Sequence, residues 1–253
     1  MKRLLITDLK RGLKNKYFLL GTAGLVLAGI LGMDSIYSQM NHSGIHIDGL
    51  KFFHFAQTGS SSSVYLTLLP LFVALPFSSC IRDDIKSGFS LYYVSRSGKI
   101  PYLFSKITTS FLTGAFMVGL STLCLYAGCF AIFFPVEMEV QDFLQNTGSY
   151  LQIGMTGLGL GILNGGVWSV FSVFLSLILN NKYMGWGAPF ILYYILVAFQ
   201  ERYYEKLVYL NPMEWASPQI TDFRLDFIIL ILVGFVVSLV TFLYAERRLI
   251  WKR

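Results

Sequence analysis

The sequence predicts an all-α integral membrane protein with six transmembrane helices, led by an N-terminal amphipathic helix lying in the interface. Three observations carry this. First, 55% of the 253 residues are hydrophobic and only 13% charged, against roughly 25% charged in an ordinary soluble domain. Second, the mean hydropathy is +0.59, a membrane-protein value on composition alone. Third, apolar runs of membrane length alternate with short polar connections along the whole chain. The length accommodates six spans in one domain, 1–253, with no separate soluble unit.

Residues 1–16, MKRLLITDLKRGLKNK, repeat leucine at Leu5, Leu9 and Leu13 among six basic residues. That spacing predicts a helix with its leucines in the acyl region and its lysines among anionic lipids, the first of this chain's expected partners. No A-x-A site follows, so it is expected to be retained rather than cleaved as a signal peptide. The first span, 17–33, is uncharged, and about 17 residues at about 1.5 Å each just cross a hydrocarbon core. Residues 34–63 read as a long outer connection ending in Gly-Ser-Ser-Ser-Ser, with a short amphipathic piece around 49–56. His42 and His46 in it, near Asp34 and Asp48, have a metal-like spacing, but without an adjoining Glu they read as solvated loop residues and no metal is expected.

The second span, 64–80, contains Pro70 and Pro76 and is expected to kink. The third covers 107–134, and the acidic connection 135–152 follows. The fourth, 154–179, carries Gly157, Gly161 and Gly165 at four-residue spacing, a helix-packing or dimer seam. A turn at Asn180, Asn181 and Lys182 leads to the fifth span, 183–199. Residues 200–224 are amphipathic and aromatic, suited to dipping into the interface. The sixth span, 225–244, ends in a basic tail.

With the N-terminus inside, 16 of the 20 Lys and Arg residues flank the inner side and four the outer. The positive-inside rule then places both termini and residues 81–106 in the cytoplasm, at a cell membrane. The net charge of +6 is spread over these flanks, so it marks topology rather than a nucleic-acid partner. Cys80, Cys124 and Cys129 form no C-x-x-C pair and read as buried small hydrophobes. Asp226 is essentially alone as an ionisable residue within the predicted spans, which argues against proton or sodium coupling. The same lack of polar groups argues against a membrane-embedded enzyme, and no nucleophilic triad or dyad is recognisable.

The chain is organised around residues 81–106, IRDDIKSGFSLYYVSRSGKIPYLFSK, the densest polar segment between two apolar runs. Arg82, Asp83 and Asp84 are expected to cap the second span, Gly88 to turn the chain, and residues 87–95 to form a short amphipathic piece. Pro101 is expected to break that piece before the third span. Phe89, Leu91, Tyr92 and Tyr93 among basic residues form an aromatic knob suited to a groove on a partner. No Walker A pattern occurs, since Gly98-Lys99 lacks the upstream glycine and the following hydroxyl, so a P-loop for ATP is not expected in this chain.

The order Asp84, Lys86, Gly88, Leu91, Ser95, Arg96 and Lys106 resembles the cytoplasmic segment after the second span of type-2 ABC transporter permeases. The six-span plan, the basic start and Asn211-Pro212 in the last outer connection are similar too. The acid is usually Glu in that family, and Val94 stands where proline is common. The resemblance implies a coupling helix within residues 87–96, with Asp84, Lys86, Gly88, Phe89, Leu91, Tyr92, Tyr93, Ser95 and Arg96 as coupling residues. It implies a separate ABC ATPase subunit holding ATP and Mg, and a second permease copy or paralogue. Short permeases of this plan resemble exporters of, or immunity proteins against, antimicrobial and other amphipathic peptides. A non-transporting membrane anchor or assembly protein is the alternative that shares the docking segment.

Overall fold

The computed structural model describes residues 2–43, 51–133, 140–204, 206–217 and 222–251. Among these residues are ten α-helices, one 3-10 turn and no strand. In chain order they are α1 Lys2–Leu13, α2 Lys16–Ser43, α3 Lys51–Ser61, α4 Ser63–Ala74, α5 Cys80–Lys86 and α6 Phe89–Ser97. There follow α7 Lys99–Phe133, α8 Val140–Ile178, α9 Lys182–Tyr203, the turn Val208–Leu210 and α10 Phe223–Trp251.

Four stretches are long and apolar enough to cross a membrane: Lys16–Asp34, Lys99–Ile132, Gln152–Ile178 and Phe223–Leu249. These coincide with the first, third, fourth and sixth predicted spans. The fifth, α9, has the length, but its tyrosines, glycines and polar C-terminal end leave it less apolar. The second differs more. Helix α4 has only 12 residues and is preceded by α3, from which Ser62 separates it. Ser62 caps α4, its hydroxyl accepting from Tyr65 N at 3.2 Å.

Much of the predicted outer connection 34–63 is therefore helical. Tertiary packing overrides its Gly and Ser content, because Phe55 and Ala56 are buried with Cys129 and Tyr126 O–H donates to Gln57 Oε1 at 2.6 Å. The acidic connection is also shorter than expected, since α8 begins at Val140. The third span begins early. Pro101 does not break the chain but sits in the first turn of α7, where no intrahelical N–H bond is lost.

Helix α8 is the centre of the bundle and α10 its rim. The apolar stretch of α8 is 61% buried and that of α10 only 22%, leaving Ile228, Leu232 and Phe235 on an exposed apolar face. Helices α7 and α8 approach so closely that a Cβ on Gly165 would lie 2.9 Å from the Gly114 carbonyl oxygen. Ser110 and Ser169 lock this crossing reciprocally, Ser110 Oγ donating to Ser169 O at 3.1 Å and Ser169 Oγ to Ser110 O at 2.8 Å. Small residues and interhelical hydroxyl bonds do here what hydrophobic contrast cannot do in lipid.

At the other end, Trp215 and Ala216 fold back into the main core beside Tyr193, Val197 and Leu230. Trp215 Nε1–H donates to Tyr209 O at 2.8 Å and Asn211 Nδ2 to Gln200 Oε1 at 3.2 Å. Residues 206–217 of the aromatic connection thus cap the bundle between α9 and α10.

Candidate functional site

The central polar stretch becomes two short helices set between α4 and α7. Helix α5 opens where Ser79 Oγ donates to Asp83 Oδ2 at 2.7 Å. Arg82, Asp83 and Asp84 therefore start a new helix rather than capping the preceding span. Two glycines frame α6. Gly88 has φ +75° and ψ −3°, a left-handed turn between α5 and α6. Gly98, with φ +83° and ψ 160°, takes a conformation essentially confined to glycine. The sharp changes of direction at both ends set α6 off as a separate rod.

That rod presents Tyr92, 77% exposed, with Phe89, Leu91, Ser95 and Arg96 also exposed. Lys86 is exposed at the end of α5. Tyr93 is half-buried and packs at a tilt of 54° against Tyr102 of α7, ring centroids 5.9 Å apart, with the Phe89 ring 5.2 Å from that of Tyr93. Between α6 and α1 lies a cleft of about 1010 Å³ lined by Leu4, Thr7, Phe89, Tyr92, Tyr93 and Arg96.

Behind Tyr93 is a buried ionic cluster that joins three helices. Lys106 of α7 is 2% exposed. Its Nζ donates to Asp8 Oδ1 of α1 at 2.8 Å and pairs with Asp84 Oδ2 of α5 at 3.0 Å. Tyr102 O–H donates to the same Asp84 oxygen at 3.0 Å, and Ser105 Oγ–H to Asp8 Oδ2 at 3.0 Å. Arg11 approaches Asp84 Oδ1 at 3.7 Å from the exposed side of α1. The ammonium also lies 5.7 Å from the ring centres of Phe77 and Tyr102. Two cations face two carboxylates, so the cluster is neutral, and each carboxylate accepts one further hydroxyl, from Ser105 at Asp8 and from Tyr102 at Asp84. Buried charges persist only when paired and hydrogen-bonded in this way.

Two expectations change here. Asp84, read as part of a surface for a partner, is buried and belongs to the internal cluster. Helix α1, expected to rest on its leucines, also turns Asp8 and Gly12 against α7, while Leu5, Leu9 and Leu13 stay partly exposed. Asp8 escaped notice in the sequence. The available signal was a single acid in a basic helix, four residues from the glycine that lets α1 approach Thr113 of α7.

The glycine ladder faces neighbours within this chain. A Cβ on Gly157 would meet Gln57 Nε2 at 3.1 Å, one on Gly161 would meet Val118 at 3.5 Å, and Gly165 lies against Val118 and Gly114. Asp226 is fully buried at the start of α10. His46 and Asp48 lie outside the described residues, which contain no group of three or more potential metal ligands. Compared with family models and with curated proteins, the sequence finds no match in either.

Proposed function

We propose that this chain is the membrane-spanning permease subunit of an ATP-driven exporter of the ABC type, with α6 as the element that docks on a separate ATPase. The observation that carries the reading is α6 itself. It is a short, exposed, aromatic and basic rod, set off by two glycine turns and buttressed through Tyr93 and Tyr102 by a buried cluster tying α1, α5 and α7 together. A connection whose only task was to join two spans would need neither the exposed tyrosine nor the ionic buttress.

In this reading six spans are formed by α2, by α3 and α4 together, and by α7, α8, α9 and α10. Both termini, α5 and α6 lie on the cytoplasmic side, where the basic residues concentrate. Two such chains and two ATPase subunits make the working unit, ATP and Mg being held by the ATPases. Closure of the ATPases moves α6, and the path for an amphipathic or peptide substrate opens between the membrane halves. The resemblance of residues 84–106 to type-2 permeases supports this assignment and extends it, by analogy, to export of or immunity to antimicrobial peptides.

The test is gentle detergent extraction from the native membrane, with mass spectrometry of what co-elutes. A stoichiometric soluble protein bearing a Walker A motif is expected. Tyr92→Ala with Arg96→Ala is expected to weaken its association about tenfold or more, as truncating central aromatic and Arg anchors does elsewhere. A chain that elutes without an ATPase, where other transporter complexes survive, would favour the anchor or assembly role. If the double variant keeps its ATPase and exports normally, α6 is not the coupling element.

A further inference from the structure

Arg82, Lys86, Asn180, Tyr244, Arg247 and Arg248 surround a second cleft, of about 470 Å³, where α5, the turn between α8 and α9, and the end of α10 meet. Four of these six side chains are cations, and no carboxylate lines the cleft. Asp83 takes one N–H of Arg82, from Nη1 at 3.1 Å. The Arg82 side chain is only 11% exposed, yet its Nε has no hydrogen-bond partner among the described residues. Arg248 is held in place over the Tyr244 ring, 5.8 Å from its centre, and that ring meets Phe174 edge-on at 6.1 Å. Glu246, on the same turn of α10, is not among the lining side chains.

Asp83 offsets only Arg82, so the charges of Lys86, Arg247 and Arg248 leave the cleft positive, and the arrangement favours a bound negative group. Guanidinium forks match phosphate oxygens in two-pronged contacts that a lone ammonium does not make. The cleft also lies at the end of an apolar stretch, Phe223–Leu249. Exposed Leu232, Val236, Val240 and Leu243 run along one face of α10 at three- and four-residue steps and lead to Arg247. A phosphate at the arginines and an acyl chain along that row are what one phospholipid offers. The geometry points to a binding site for the phosphate headgroup of an anionic inner-leaflet phospholipid, held by Arg82, Lys86, Arg247 and Arg248. Basic pockets between membrane helices on the cytoplasmic side are suited to such headgroups. The inference rests on the membrane-domain reading above but not on coupling to an ATPase.

The experiment uses the full chain, delipidated in a neutral detergent and titrated with dioleoyl phosphatidylglycerol, dioleoyl phosphatidylcholine or inorganic phosphate, with binding followed by native mass spectrometry. Arg247→Gln with Arg248→Gln is expected to weaken phosphatidylglycerol binding about thirtyfold, two cations' worth of attraction to an anionic headgroup. Arg202→Gln with Lys206→Gln, an equal loss of charge at exposed positions around the end of α9, is expected to leave binding unchanged. Arg82→Gln serves as a second variant, and elution volume and helicity report folding in each. Equal loss in the Arg202 and Lys206 control would make the attraction diffuse and overturn the site. Binding of phosphatidylcholine as tight as phosphatidylglycerol would overturn recognition of an anionic headgroup. Occupancy by inorganic phosphate at the same concentration would assign the cleft to a free anion and overturn the lipid as its source. A site unaffected by lipid but filled by an acidic segment of a co-eluting protein would overturn it in favour of a protein contact. A chain that stays monodisperse without detergent would instead sink the membrane reading, whereas indifference to lipid in a detergent-dependent chain sinks this inference alone.

Discussion

Replacing Lys106 by Met tests whether the cluster beneath α6 holds the helices together. Lys106 is buried, and its ammonium lies 2.8 Å from Asp8 and 3.0 Å from Asp84. Methionine keeps the volume and removes the cation, leaving two buried carboxylates facing one another. Asp84 retains Tyr102 and the 3.7 Å contact with Arg11, and Asp8 retains Ser105. Breaking a buried pair from one side costs about 3–5 kcal/mol. Asp8→Asn alone keeps Lys106 paired with Asp84 and is expected to cost less, about 1.5–3 kcal/mol. Combined, the two changes remove the orphaned charge on α1 together with its partner. The double variant should therefore lose less than the sum of the singles, by about 1–3 kcal/mol. Unfolding of the detergent-purified chain by sodium dodecyl sulfate measures this, with tryptophan emission reporting the environment of the fully buried Trp168. A cost below about 1 kcal/mol for Lys106→Met, the value of an exposed pair, or strict additivity in the double variant, would refute the reasoning.

Three further substitutions probe the backbone around the site and the bundle. Gly165→Leu should destabilise the α7–α8 crossing by about 1–3 kcal/mol or more through overpacking, because even a Cβ there meets Val118 and the Gly114 carbonyl. Gly159→Ala, on the same helix with nothing within 4 Å, should stabilise by about 0.5–1 kcal/mol; the same denaturation assay reads both, and equal effects would contradict the packing. Gly98→Ala should cost about 1–3 kcal/mol, because φ +83° with ψ 160° is strained for any side chain. Proteolysis at the start of α7 should rise with it, and an unchanged cleavage rate would count against the strained turn.

The pattern of apolar runs locates the four strong spans, the early start of the third at Lys99 apart, because membrane length and charge exclusion are properties of single segments. The same pattern puts the start of the second apolar run at Val64, one residue from the start of α4, but carries it past the end of that helix at Ala74. It also reads the residues before it as a connection, whereas α3 gains burial of Phe55 and Ala56 from α7 and α2, which no local count registers. Pro101 was read as a breaker, but a helix that begins at Lys99 places it where proline is harmless. The short helix at the site was foreseen to within about two residues, since Gly88, the aromatics and Arg96 are adjacent in sequence. The cluster behind it was not. Asp8 and Lys106 are 98 residues apart, and in the sequence each looks like an ordinary charge beside a membrane span.

If a partner pushes α6, as proposed above, that cluster decides what moves. Separating opposite charges that are about 3 Å apart by a further 1 Å costs on the order of 1 kcal/mol per pair at an effective dielectric of about 20. Lys106 holds two such pairs, one to α5 and one to α1, so sliding either helix against α7 is resisted from the first ångström. Helix α6 has no ionic tie of this kind among the described residues. It is joined to α5 and α7 by the two glycine turns and rests on Tyr102 through the Tyr93 ring, a contact of about 0.5–1.5 kcal/mol. A load on Tyr92 and Arg96 therefore reaches α7 through Gly98 and the packed rings, while α1 and α5 are carried along by Lys106. The N-terminal helix belongs to the moving unit in this account rather than to the lipid alone, because the acid it turns inward is tied to the helix that carries the load.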